Sequence, residues 1–170
     1  MIDLEAEIER LGRQLKQLVA IAAPATTSRV AVSSGHAGTL LVTAGQNIQR
    51  LRSEASFAAL CGASPLPVST GRTDRHRLNY GGDRDANRAL HMIAVCRLRY
   101  CKRTRAYAER RTAEGKTKTE IIRCLKRYIA RELYHALLAD LVPAHPSQPR
   151  PGPIKSITCG AGPIGHAIRT

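Results

Sequence analysis

Tryptophan is absent from this 170-residue chain, phenylalanine occurs once, and aromatics together make up 4% of it. A core so short of rings must be packed from Ala, Leu, Ile and Val, within a hydrophobic share of 43%. That favours helices packed on helices over a β-sandwich. Acidic residues are scarce too: 13 Asp+Glu stand against 27 Lys+Arg, a formal charge of +14. Such a surplus attracts polyanions, of which nucleic acid is the commonest. No apolar run approaches the roughly 18 residues of a membrane span, so no membrane partner is expected. The opening MIDLEAEIERLGRQ is acidic and amphipathic, unlike a secretory signal peptide. Cysteine is sparse and odd in number, at positions 61, 96, 101, 124 and 159, with no CxxC pair. His36, His76 and His91 complete no zinc pattern with them, so reduced cytosolic thiols and no metal site are expected.

At about 100–200 residues per domain, the length fits one domain with attached segments. Residues 2–20 read as a helix, with Leu4, Leu11 and Leu18 seven apart and Ile8 and Leu15 four after the first two. That is an a/d seam, the core face of a bundle helix or, more sharply, a coiled-coil arm over 1–23. Pro24 stops it, and 26–38 is turn-rich. After the apolar run 39–44, Ser53 caps a short helix that Gly62 stops. Pro65 and Pro67 force an extended stretch toward Ser69, and 72–82 reads as a basic loop or irregular arm. Asp83 caps a helix from Arg84 to about Tyr100 with Ala86, Leu90, Ile93 and Ala94 on one face. Residues 102–116 are polar and basic, with Tyr107 as the main anchor. A last helix runs from about Thr119 to Leu141 on the stripe Ile121, Ile122, Leu125, Ile129, Leu133 and Ala136 or Leu137. Beyond it Pro and Gly dominate, and 142–170 is expected to be a disordered tail. The fold class is therefore mainly α: a small helical domain over 24–141 with an N-terminal coiled-coil helix.

Charge is concentrated in one stretch. Residues 72–131 hold 18 Lys+Arg against 6 Asp+Glu, a net +12, and 14 of the 18 are arginine. Guanidinium groups pair with phosphate in a bidentate manner, which suits a nucleic-acid backbone. The residues expected to bind are Arg72, Arg75, His76, Arg77, Arg84, Arg88, Arg123, Lys126 and Arg127. No RNP-type aromatic motif, zinc finger or clean helix-turn-helix accompanies them.

Pro67-Val68-Ser69-Thr70-Gly71 sets a serine just ahead of Arg72, Arg75, His76, Arg77 and Arg84. A serine nucleophile needs a base and needs cations where phosphoryl charge develops. The cations are present, and His76 or an upstream carboxylate could serve as base. On spacing alone Ser69-Thr70-Gly71 reads as a turn.

Read as a whole, several stretches in order carry more. They are Arg50 to Gly62, Ser64 to Thr73, Arg75 to Asn79, Gly81 to Arg84, Ala86 to His91, Thr104 to Tyr107, Arg110 to Lys116 and Ile121 to Leu133. Over about 1–137 the chain closely resembles the C-terminal domain of insertion-sequence transposases of family 110, with relatives 116 and 902. The resemblance implies DNA recombination guided by a structured non-coding RNA. It implies an N-terminal RuvC-like domain with four metal-binding carboxylates, then a coiled coil matching 1–20, then a domain holding a nucleophilic serine. Ser69 corresponds to that nucleophile, and Thr70 is the neighbouring variable position.

The sequence departs from that pattern in three places. No four acids here could replace a RuvC-like domain, so the Mg²⁺ of the family would belong to the missing domain and no cofactor to this chain. Val30-Ala31-Val32-Ser33-Ser34-Gly35-His36 stands where relatives carry a Pro-Gly-Val-Gly turn, and the tail after Leu138 differs. The expectation is an N-terminally truncated copy, located with DNA in a bacterial cytoplasm. It would bind DNA and a structured guide RNA, and self-associate through its first helix. The alternative is a non-catalytic nucleic-acid-binding remnant. A ribosome- or RNA-associated basic protein would explain the charge but not the ordered motifs.

Overall fold

A computed structural model describes residues 3–45, 51–70, 73–77, 79 and 81–142, with only the backbone of 66–70 and 73–77. Among the described residues seven helices and one two-stranded hairpin form a mainly α fold. They are α1 (Leu4–Ala22), α2 (Pro24–Thr27), α3 (Ser34–Ala44), α4 (Glu54–Leu60), β1 (Leu66–Thr70), β2 (Thr73–Arg77), α5 (Arg84–Tyr100), α6 (Lys102–Ala113) and α7 (Lys118–Leu141).

Helix α7 is the centre of the packing. Ile121, Leu125, Ile129, Leu133 and Leu137 are buried on it at helical spacing. Against this stripe pack α2, α4, α5 and α6. Phe57 and Ala58 of α4 and Ala86, Leu90, Ile93 and Ala94 of α5 complete the core, with Leu40 and Ala44 of α3. The predicted faces of α5 and α7 are the buried ones, except that Ile122 is only half-buried. Phe57, the only phenylalanine, is wholly buried beside Tyr134, whose hydroxyl donates to the Leu51 carbonyl at 2.8 Å.

Three polar ties fix the helices. Arg97 of α5, itself buried, donates two bonds to the Glu132 carboxylate of α7 at 2.7 and 3.1 Å and a third to the Val30 carbonyl at 3.0 Å. Asp140, near the end of α7, accepts from the Ala25 and Thr26 amides and the Thr26 hydroxyl at 2.7–2.9 Å, so it caps α2 from across the fold. Glu54 at the start of α4 takes Arg131 and His135 of α7 together.

Helix α1 behaves differently. Only its last turns join the body, where Val19 packs with Ala23 and Ala37 in a small second cluster. A Cβ on Gly38 of α3 would sit 3.5 Å from both Leu15 and Val19, so the glycine lets α1 lie close. The seam Leu4, Ile8, Leu11, Leu15 and Leu18 stays between 42% and 70% exposed.

Three stretches differ from the sequence reading. The turn-rich 26–38 contains the end of α2 and the start of α3, because Pro24 opens a new helix at its first position as well as closing α1. Ser33 and His36 then form a reciprocal cap on α3. The basic arm 72–82 contains strand β2, held by pairing with β1 rather than by any apolar alternation of its own. The basic stretch 102–116 contains helix α6, whose Lys, Arg, Ala and Glu are good helix formers with little to bury. Residues 143–170, expected to be a disordered tail, lie outside the described residues.

Arg131 and His135 hold the Glu54 carboxyl below its ordinary value of 4.5, the Arg131 bond being the larger cause. A carboxylate with a depressed pKa stabilises the fold above its unfolded pKa and loses that contribution as pH falls through the folded one. Urea unfolding of Glu54→Gln should therefore show lower stability than the parent at neutral pH. The gap should close as pH is taken below about 4.5. A gap independent of pH would rule out this ion cluster as its source.

Candidate nucleic-acid interface and the Ser69 hairpin

Strands β1 and β2 pair antiparallel with Leu66 opposite Arg77, Pro67 opposite His76, Val68 opposite Arg75, Ser69 opposite Asp74 and Thr70 opposite Thr73. Two residues, 71 and 72, connect them and lie outside the described residues, Arg72 among them. Antiparallel positions alternate between the two faces of a ladder. Ser69, Asp74, Pro67 and His76 thus share one register parity, and Val68, Arg75, Leu66 and Arg77 the other. The sequence reading weighed His76 and an upstream carboxylate as a base. The register adds Asp74, a downstream acid directly opposite Ser69. A Gly-containing two-residue link between two short runs was the signal for this hairpin.

The hairpin stands on a root built by close backbone approach. Asp83 N donates to the Leu60 carbonyl at 2.7 Å, so the chain leaving the hairpin touches the chain entering it. A Cβ on Gly82 would lie 2.2 Å from Gly62 N, 2.4 Å from Gly62 Cα and 2.9 Å from the Leu60 oxygen, all backbone atoms. Gly62 itself has φ of +63°, a conformation side chains rarely adopt. Asn79 donates to the Ala59 carbonyl at 3.2 Å and accepts from Gly81 N at 3.0 Å. Asn87 donates to the Cys61 carbonyl at 2.9 Å and accepts from Lys126 Nζ at 2.8 Å. Asp83 caps α5 through the amides of Asp85 and Ala86 and accepts from Thr43 of α3 at 3.3 Å. The Cys61 thiol beneath this root is buried, and its pKa is pushed up to about 12 by burial and then by Asp83, which keeps it protonated.

Around the root lies the positive surface. Arg84 and Arg88 of α5 and Arg123 and Arg127 of α7 are exposed as expected. Arg88 lies 3.5 Å from Asp85, whereas Arg84, Arg99, Arg103, Arg105, Arg123 and Arg127 have no ion pair among the described residues. Arg110 and Arg111 are partly neutralised by Glu114. Tyr107, the anticipated anchor, is half-buried and edge-on to the exposed Tyr128 at 5.9 Å. Lys126 departs from the group: it is 8% exposed and turned into the fold. Of the expected binding residues, Arg75, His76 and Arg77 sit on β2 and the other described ones on α5 and α7. Sequence reasoning missed Asn79, Asn87 and Asp83 as the builders of the root, because hydrogen bonds between distant turns leave no periodic trace. The glycines at 62, 81 and 82 were the available sign.

Residues 27–109 match the model of the transposase IS116/IS110/IS902 family. The matched stretch spans α3 through most of α6, and so the hairpin, its root and the first helix of the positive surface. No curated protein matches the chain.

Gly82→Ala should overpack the root against backbone that cannot turn aside. The expected cost is about 1–3 kcal/mol in urea unfolding. Gly81→Ala, whose Cβ would meet only the Asn79 side chain at 3.5 Å, should cost clearly less. Equal costs at the two positions would count against the crossing of Gly62 and Gly82 as the constraint.

Proposed function

We propose, for a chain whose residues 27–109 match the transposase IS116/IS110/IS902 family, that it acts in DNA transposition by gripping nucleic acid and offering Ser69 to a strand. The family match carries this reading, since the matched stretch contains Ser69, its supporting root and Arg84 and Arg88. The exposed arginines of α5, α6 and α7 supply a sequence-independent grip on phosphates. Structured RNA, with its dense phosphate surface, would be held by the same means. In the proposed chemistry the Ser69 hydroxyl oxygen attacks a backbone phosphorus. One P–O bond of the strand breaks, a serine phosphodiester forms, and the released deoxyribose oxygen takes a proton. Asp74, opposite Ser69 in register, and His76, of the same parity, are the chain's own candidates for accepting the serine proton.

Magnesium enters this family through a RuvC-like domain, by the resemblance drawn above. The described residues of this chain bring no three His, Cys, Asp or Glu side chains together as metal ligands.

The exposed seam of α1 supports self-association. Five apolar side chains at heptad spacing, all at least 42% exposed, suit pairing with the same helix of a second copy. Fewer than three heptads make a marginal coiled coil alone, so the contact would be strengthened by whatever else the copies share.

Two measurements test these points. Affinity for duplex DNA should fall about 10³-fold between about 50 and 200 mM salt if about six phosphates are met. A flat salt response would overturn the grip. In a fusion placing a RuvC-like domain ahead of Met1, strand cleavage should leave a covalent Ser69 adduct that Ser69→Ala abolishes with binding unchanged. Cleavage that survives Ser69→Ala would transfer the role to Thr70, and a fusion that binds but never cuts would favour a non-catalytic binding role.

For the seam, Ile8→Lys with Leu11→Lys should turn an oligomer into a monomer in analytical ultracentrifugation. A parent chain already monomeric at high concentration would refute pairing.

A further inference from the structure

Two cationic side chains of the described residues are buried, Arg97 and Lys126, and their surroundings differ sharply. Arg97 meets a carboxylate with two bonds and a carbonyl with a third. Lys126 Nζ has one protein bond, to the neutral amide oxygen of Asn87. An ammonium has three donors, and among the described residues Asn87 is the acceptor for one of them. No carboxylate forms an ion pair with it among the described residues, and its charged neighbour is another cation, Arg123. Burial, with Arg123 second, holds its pKa below the usual lysine range.

A cation taken out of water without an anion is costly. The sequence deepens the imbalance. On α5, Asn87 is flanked at i−3 and i+1 by Arg84 and Arg88, and on α7, Lys126 is flanked at i−3 and i+1 by Arg123 and Arg127. Each pair lies on the same side of its helix relative to the bridging residue. All four arginines are exposed; of the nearby acids, Asp85 is engaged with Arg88, Asp83 caps α5, and Glu120 caps the start of α7 within reach of Arg123's charge. A buried ammonium with one acceptor among the described residues, bridging two helices that each carry a flanking pair of exposed arginines, has the chemistry of a seat for an accepting anion.

We infer that the Asn87–Lys126 bridge is a phosphate seat, in which Lys126 takes one backbone phosphate of a bound nucleic acid while Arg84, Arg88, Arg123 and Arg127 hold its neighbours. This rests on the nucleic-acid reading above and makes it specific. The same Asn87 holds the Cys61 carbonyl at the root of the hairpin, so Lys126, and any phosphate it takes, is tied through two hydrogen bonds to the stem that carries Ser69. The seat therefore sets where along a strand the serine falls, and Lys126 acts as a positioning residue as well as a binding one.

The test uses the full chain. In fluorescence anisotropy with a duplex, Lys126→Gln should weaken binding about 5–10-fold and lower the log–log salt slope by about 0.9, the share of one phosphate. Lys16→Gln on α1 should do neither. Because removal of a buried lysine can disturb the fold, circular dichroism accompanies each variant and the parent chain supplies a second readout. Titrated with inorganic pyrophosphate, its Asn87 side-chain amide signals in ¹⁵N NMR should move saturably, and chloride at equal ionic strength should leave them in place. Duplex binding that keeps its affinity and slope in Lys126→Gln, or Asn87 signals unmoved by pyrophosphate, would overturn the seat while leaving the grip intact. A parent chain that binds no duplex would instead sink the nucleic-acid reading, with the pyrophosphate titration still deciding the seat.

Discussion

Helix α7 offers one apolar stripe, Ile121 to Leu137, and four other helices need it at once. With almost no aromatic bulk available, burial must come from many small and branched side chains in register, and a long helix is the simplest way to present them. The opposite side of α7 is then free to carry Arg123, Arg127 and Arg131. The charge of this protein is affordable only because the uncharged stripe is continuous. A break in it would release α4 and α5 together, and with them both sides of the hairpin root.

Much of this was legible in advance. Helix α5 announces itself by its cap, Asp83, and both α5 and α7 by apolar spacing, and their ends were read to within a residue or two. The serine segment was marked by Pro67, Gly71 and the cations around it. What stayed hidden shares one physical cause. Strand β2 and helix α6 are almost wholly polar, so their structure is imposed by a partner strand and by residue propensity rather than written as a pattern. The reversal of Lys126 from surface cation to buried bridge was equally unreadable, because lysine looks the same in a sequence whether its ammonium meets water or Asn87.

The site itself combines two kinds of rigidity. Gly62 and Gly82 bring backbones into a contact that no side chain could share, and Asn79, Asn87 and Asp83 lock it with hydrogen bonds. The first excludes alternatives by volume, the second by direction. Both act on the base of the hairpin, so the strands above inherit a defined origin. The family resemblance named the serine, and the root explains how a two-stranded ribbon is anchored within a helical domain.

Asp140 joins the two extremities of the described chain. It sits one residue before the last of α7, yet it accepts three bonds from Ala25 and Thr26, immediately after the arm has ended. The pitch of α1 relative to the body is thus pinned from the opposite terminus. A twist applied to the arm would meet the α3 contact at Val19 and Ala37 and, through this carboxylate, the far end of the helix that carries Lys126. The protein has in effect a lever whose fulcrum and load are set on the same shaft.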